Sequence, residues 1–556
     1  MSTLDWITVS AYFLLLVGIV RWSSQRQSTS TDYFLAGREI GWFVVGCSLL
    51  ASNIGSEHIV GLAGNGATSG MAMAHWELHA WIMLLLGWVF VPFYYRSGVF
   101  TMPEFLERRF DSKTRWALSL VSLMAYVFTK VSVTVYAGAI VFQSLLPDTF
   151  GSPENAFWVG AITTVVLTGI YTIFGGLRAV VYTEVAQTAL ILVGSFFITF
   201  LALNKLGGWG ELKAVLSANP QQFALWRPLS DPNFPWLGVM IASPIIGIWY
   251  WCTDQYIIQR TLAARDLTQA RRGAIFGGFL KVLPVFLFLV PGMIGLALHQ
   301  KGIMTLPTNP DGTTRGDTVF PTMVSSLLPS GLRGVVVAGL LSALMSSLAS
   351  LFNSCATLFT VDIYAKMRPG RPERELVRVG RMATGVVVVL GILWIPIMPL
   401  ISKGGLYEYL QSVQGYLAPP IAAVFLLGLF MKRINARGAF LGLVLGITLG
   451  LLKLAMQAAA GSGALGDSGP LLAFAQINFL YYSGMLFVVS LLIVYFGSLS
   501  APPQNPADIQ GLTYGSVTPA QRAEIRASWG KADIIGTIVV LAMVIGIYLY
   551  FSFWLG

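Results

Sequence analysis

The chain has 556 residues, 55% hydrophobic and 11% charged, with a mean hydropathy of +0.70. Soluble domains carry roughly 25% charged residues, so this composition excludes a water-soluble globular protein and reads as an all-α polytopic protein of a lipid bilayer. The net charge of +10 is accounted for by the basic bias of inward-facing loops, which leaves no call for a nucleic-acid partner.

About twenty mostly apolar residues cross a bilayer, and such windows recur along nearly the whole chain. About fourteen are read by hydropathy, near 6–22, 41–66, 76–96, 116–147, 156–175, 181–204, 235–258, 273–299, 329–363, 378–400, 406–430, 437–459, 471–497 and 532–554. The first, WITVSAYFLLLVGIV, follows Asp5 and precedes Arg21. A signal peptide has its basic residues before the apolar core, so this is expected to be a retained helix with its N-terminus outside. With that orientation roughly 25 of the 35 Lys and Arg fall in inward loops, against about 7 outside and 3 within spans. Both termini are then expected outside. The three Cys lie in apolar segments and imply no disulfide framework. The absence of any Asn-x-Ser/Thr sequon favours a bacterial plasma membrane.

Two spans depart from a clean helix. ASNIGSEHIVGLAG (51–64) carries Asn, Ser, Glu, His and three Gly in the middle of the second. IASPIIGIWYWCTDQ (241–255), in the seventh, is expected to break at Pro244 and Gly247 and holds Asp254. Interrupted helices at corresponding positions of two halves mark an inverted-repeat transporter site. The expected organisation is an extra helix and loop over 1–40, five-span repeats over 41–204 and 235–430, and three further helices over 431–556 with a cytoplasmic connector at 498–531.

Charged groups in hydrocarbon cost about 2.5 kcal/mol or more and mark function by default. The candidates are Glu57, His58, Glu77, Lys130, Glu184, Asp254 and Lys281. Glu77 and Lys281 are either an ion pair between helices or the lining of a polar cavity. A neutral polyol donates and accepts at every hydroxyl, and a carboxylate, an ammonium and the amides of Asn53 and Gln411 match that pattern together. In LLSALMSSLASLFNS (340–354), Ala343, Ser346 and Ser347 share one helix face. Small residues there either pack a neighbouring helix or offer oxygens to a hard cation, with the carbonyls of Ala51 and Ile54 released by the broken second span. Trp76, Tyr250, Trp251 and Tyr407 serve either the membrane interface or a sugar face and its gate. No HExxH, Walker A or CxxC motif is present, so no enzyme is indicated.

The stretches DYFLAGREIGWF, ASNIGSEHIVGLAG, GWVFVPFYYRSGVFTMPEFLERRF, GGLRAVVYTE, IWYWCTDQYIIQRTLAARD, LMSSLASLFNSCATLFTVDIYAK and YLAPPIAAVFLLGLF resemble the sodium/glucose cotransporter branch of the sodium:solute symporter family, from about residue 30 to 455. The resemblance implies a LeuT-type fold and a sodium-coupled symporter importing a hexose of the glucose or galactose type. It implies sugar contacts at Asn53, His58, Glu77, Tyr250, Trp251, Lys281 and Gln411, and a gate of Leu62, Trp76 and Tyr407. It implies a sodium ion held by Ala51, Ile54, Ala343, Ser346 and Ser347. Glu184 stands where the family has Asp and is a candidate second cation or coupling site, and Glu57 stands where a small residue is usual. No protein partner is required. The alternatives are a sodium symporter for another polyol such as myo-inositol or for a sugar acid, and a non-transporting sensor or channel.

Overall fold

The computed structural model describes residues 1–24, 28–147, 149–310, 312–397, 406–466 and 468–552, with the side chains of Glu57, Ile397 and residues 406–409 left aside. It is built of helices, and the described residues hold only isolated β-bridges. In chain order the long helices are α1 (Thr3–Ser23), α2 (Trp42–Asn53), α3 (Ser56–Thr68), α4 (Gly70–Ser97), α5 (Ser112–Leu145), α6 (Pro153–Leu206), α7 (Trp236–Thr253), α8 (Gln255–Leu262), α9 (Leu267–Gln300), α10 (Leu332–Met367), α11 (Glu373–Trp394), α12 (Leu406–Phe430), α13 (Ala436–Gly461), α14 (Phe479–Leu499) and α15 (Lys531–Ser552). Among the described residues, twelve helices are long and apolar enough to cross a membrane, and α2 with α3, bent by 60°, makes a thirteenth if taken as one span.

Local signals set the ends. Ser2 and Asp5 form a capping box on α1, and Ser152, Asp266 and Asn435 accept from backbone N–H groups at the starts of α6, α9 and α13. The loop expected between the spans at 156–175 and 181–204 is instead a kink at one residue of the 54-residue α6. Gly176 takes φ 52 and ψ −161, which the absence of a Cβ permits. The seventh span also differs from expectation. Pro244 and Gly247 stay inside α7, a π-turn over Trp249–Thr253 absorbs the register, and the chain leaves helical geometry only at Asp254 (φ −81, ψ 126). A proline costs a membrane helix one hydrogen bond, which neighbouring groups make good.

α10 is the most buried span and crosses the middle of the bundle, against α6 above all and also α1 and α11. Both halves of the broken second span are clamped to α9. A methyl at Gly46 would meet Gly273 O at 3.0 Å, and one at Gly66 or Gly292 would run into the carbonyls of Leu289 and Ala63. Small residues let membrane helices approach to backbone contact. Gly292→Ala is therefore expected to destabilise the protein by about 1–3 kcal/mol, read as a lower melting temperature in detergent. A melting temperature equal to wild type would show that the two helices can part without cost.

The connector (498–531) is tied to the starts of α9 and α13. Asn435 Nδ2 donates to Ser498 O at 2.9 Å, Arg433 Nη1 reaches the same carbonyl at 2.9 Å, and Arg271 Nη1 donates to Ser528 Oγ at 2.6 Å. Within it Pro519–Ala527 forms a short capped helix.

Candidate substrate cavity and cation site

The break between α2 and α3 spans two extended residues, Ile54 (φ −88, ψ 98) and Gly55 (φ −96, ψ 176). Helix ends leave carbonyls without intrahelical partners, and α10 meets them. Ser346 Oγ lies 2.8 Å from Ala51 O and 2.9 Å from Ala343 O, sharing its proton between the two. Ser347 Oγ donates to Ser52 O at 3.3 Å, and Tyr256 bonds the same carbonyl from α8. A cluster of neutral oxygens thus forms where the broken span crosses α10. Ala51, Ala343, Ser346 and Ser347 contribute to it, and the carbonyl that Ser347 bonds is that of Ser52. Ile54 itself is fully buried at the break.

Glu184, on α6, faces this cluster from the side. Its carboxylate accepts from Ser48, from Ser52 at 3.1 Å and from Ser350, and Arg260 approaches at 3.5 Å. The carboxylate is thereby saturated by three hydroxyls and a guanidinium.

On the other side of the break lies a small, partly open cavity lined by polar and aromatic side chains. Asn53, His58, Glu77, Tyr250, Trp251, Lys281 and Gln411 all line it, as does Trp76. Lys281 Nζ donates to Glu77 Oε2 at 2.5 Å and to Asn53 Oδ1 at 2.7 Å, and Asn53 Nδ2 donates to the Tyr250 hydroxyl at 3.1 Å. The ammonium also lies 5.7 Å from the Trp251 ring centre. Glu77 Oε1, Gln411 Oε1 and Trp76 Nε1 at this cavity are buried and have no hydrogen-bond partner among the described residues. Two acceptors and a donor with no protein partner suit a ligand that carries hydroxyls, because buried polar groups are otherwise paired. Trp76 packs edge-on against Phe234 at 6.1 Å, and Leu62 lies buried in α3 outside the cavity lining. The Tyr407 side chain and that of Glu57 fall outside the described residues.

A second ion pair adjoins the cavity, which Lys130 also lines. Lys130 Nζ donates to Asp254 Oδ2 at 2.5 Å, and Tyr126 bonds the other oxygen. The ammonium is ringed by Tyr126, Trp249, Tyr250 and Tyr256 at 4.7–5.1 Å. Lys130 and the pair Tyr250–Trp251 both sit on π-turns, Tyr126–Val131 and Trp249–Thr253, which recur at functional sites because they re-aim side chains. Lys130→Met would leave Asp254 buried without its cation and is expected to cost about 3–5 kcal/mol. Melting in detergent checks this, and a loss under about 1 kcal/mol would mean that Asp254 is otherwise compensated.

Residues 33–446 match the sequence profile of the sodium:solute symporter family, three-quarters of the chain. The chain belongs to the sodium:solute symporter family. It is therefore a multi-pass solute transporter and not an enzyme. The symporter is 40% identical over 561 residues to sodium/glucose cotransporter 1 of Oryctolagus cuniculus, covering 95% of this chain and 84% of that one. It is 40% identical over 520 residues to sodium/glucose cotransporter 2 of Rattus norvegicus (87% and 77%) and 38% identical over 557 residues to the sodium/myo-inositol cotransporter of Canis lupus familiaris (93% and 76%). Among solved structures, a Na+-coupled sialic acid symporter in a substrate-bound outward-open state superposes with a TM-score of 0.76 at 22% identity, covering 91% of this chain and 99% of that one. That likeness gives the fold, which is helical and of the transporter type expected.

The symporter's cavity also holds residues that reading the sequence passed over: His79, Thr134, Gln414 and Tyr256. Two carried a periodicity signal. His79 follows Trp76 by three residues and Gln414 follows Gln411 by three, so each shares a face with a residue that was singled out. Tyr256 lay beyond the break at Asp254, where no helix face was defined. His79 Nε2 contacts Ser243 Oγ at 2.7 Å, which fixes its ring beside Glu77.

Proposed function

We propose that this symporter couples inward sodium flow to uptake of a hexose of the glucose or galactose type by alternating access. The observation that carries the reading is the adjacency of two sites at one broken helix. A cage of neutral oxygens (Ala51, Ile54, Ala343, Ser346, Ser347) is proposed on one side of α2, supported by the contacts of Ser346 and Ser347, and the polar cavity takes Asn53 from the other. A hard cation prefers such oxygens, and unwound backbone in transporters of this architecture faces the coupling ion. Sodium seated there ties α2 to α10 and fixes Asn53, three residues from Ser56 and the start of α3, in the geometry that meets sugar. Coupling then requires only that sodium bind the outward-open state better than the other, since equal affinity would shift nothing.

Charge favours a neutral substrate. Both ammonium groups lining the cavity, Lys281 and Lys130, are paired with carboxylates at 2.5 Å. An anionic sugar acid would meet no uncompensated Lys or Arg among the described residues there. The relatives named for glucose and for myo-inositol keep a cyclic polyol as the second reading. The sugar contacts proposed are Asn53, His58, Glu77, Tyr250, Trp251, Lys281 and Gln411, behind a gate of Leu62, Trp76 and Tyr407. Glu184, saturated as it is, is proposed to couple the sites by positioning Ser52.

We also propose fourteen spans, with α2 and α3 as one and α6 as two on either side of Gly176, arranged as five-span repeats over 41–204 and 235–430. The distribution of Lys and Arg supports a plasma-membrane orientation with both termini outside, and the missing sequons support a bacterial one. Calorimetric titration of the purified protein with glucose, galactose and myo-inositol, in sodium and in choline, tests the reading. Binding of a hexose only in sodium is expected, and equal binding in both salts would contradict it.

A further inference from the structure

We propose that Asn353 is a transient sodium station between the cation cage and the cytoplasm, on a polar track along α10. This rests on the symport reading above. Ser346, Ser350, Asn353, Thr357 and Thr360 recur every three or four residues, which places them on one face of the helix. That face begins at the cage and runs about 21 Å toward the basic end of the bundle. All five residues are at most 1% exposed. A stripe of small hydroxyl residues alone is ordinary helix packing, and most of these hydroxyls are accounted for. Ser350 bonds Glu184, and Thr357 Oγ1 donates to Asn353 O at 2.7 Å and accepts from Gln259 Nε2 at 2.8 Å.

Asn353 is different. Its side-chain oxygen and nitrogen are both buried, and neither has a hydrogen-bond partner among the described residues. Thr360 Oγ1, two turns further on, is buried and unpartnered as well. A fully orphaned amide is rare in a packed interior and marks a group whose partner comes and goes. The visitor that suits an amide oxygen one turn past Ser350 is the ion from the cage about 10 Å away.

The charges beside the track fit passage and not storage. Glu184 is the carboxylate bonded to the track's Ser350, and Arg260 neutralises it at 3.5 Å. The balanced pair neither traps a cation nor bars it. A neutral oxygen then offers a site weak enough to leave, which conduction between successive sites requires.

The test compares two modes of radiolabelled hexose movement in proteoliposomes. Net entry, with sodium outside only, needs sodium to leave to the lumen; exchange, with saturating sodium on both sides, does not. For Asn353→Leu, net entry is expected to fall about tenfold while exchange stays within about twofold of wild type. For Asn353→Asp, which adds a charge to the track, lumenal sodium is expected to inhibit net entry at a concentration about tenfold lower than for wild type. Equal loss of both modes in Asn353→Leu would make the residue a structural one and overturn the proposal, as would unchanged net entry. Wild-type net entry that ignored sodium would overturn the symport reading first and the station with it, so the two failures are distinguishable.

Discussion

Lys281→Ala is expected to abolish transport, lowering kcat/KM for sugar uptake by about two orders of magnitude or more. Lys281 makes two short contacts at the cavity: Glu77 Oε2 at 2.5 Å and Asn53 Oδ1 at 2.7 Å. Truncation leaves the Glu77 carboxylate buried without a counter-charge, and breaking a buried pair from one side costs about 3–5 kcal/mol. It also frees Asn53, the residue that joins the cavity to the end of α2. Stability and function separate in the double variant Lys281→Met with Glu77→Gln. Removing both charges restores a neutral, packable pair, so the melting temperature is expected to recover while uptake stays low. Recovery of uptake in that variant would reduce Lys281 and Glu77 to structural partners.

The joint substitution Ser346→Ala with Ser347→Ala has the second largest expected effect. It removes two of the oxygens of the cage and leaves carbonyls, which are too few to replace the hydration shell of a hard cation. The sodium concentration for half-maximal uptake is expected to rise about tenfold or more. At saturating sodium the maximal rate is expected to move much less, because the cavity residues are untouched. Both hydroxyls donate across the α2–α10 contact, so a purely structural role would lower the maximal rate and the melting temperature and leave the sodium dependence as it was.

Much of this was legible in the sequence because bilayers make polarity expensive. Each residue taken for the cavity stood out as a charge, an amide or a paired aromatic in an apolar run, and the fold brings all seven to one pocket. The break in the second span was visible in its polar and glycine content. Less visible was anything decided by backbone geometry between elements. Pro244 signalled a break, but a π-turn carried the helix ten residues further to Asp254. The kink at Gly176 turned an expected loop into a single residue. That Ser347 bonds the carbonyl of Ser52 depends on how α10 crosses α2, which residue types do not encode. The Lys130–Asp254 pair illustrates both sides of this. Its members were recognisable one by one as charges in hydrocarbon, whereas the four-ring enclosure around the ammonium depends on two π-turns facing each other.

The central claim is that sodium and sugar are coupled through the broken second span, and uptake into proteoliposomes tests it most directly. Purified protein would be loaded with radiolabelled hexose outside and given an inward sodium gradient, an inward proton gradient or no gradient. The expected result is accumulation above the equilibrium level with sodium alone, collapsing when a sodium ionophore is added. Accumulation driven by protons, or entry at the same rate with no gradient at all, would contradict it.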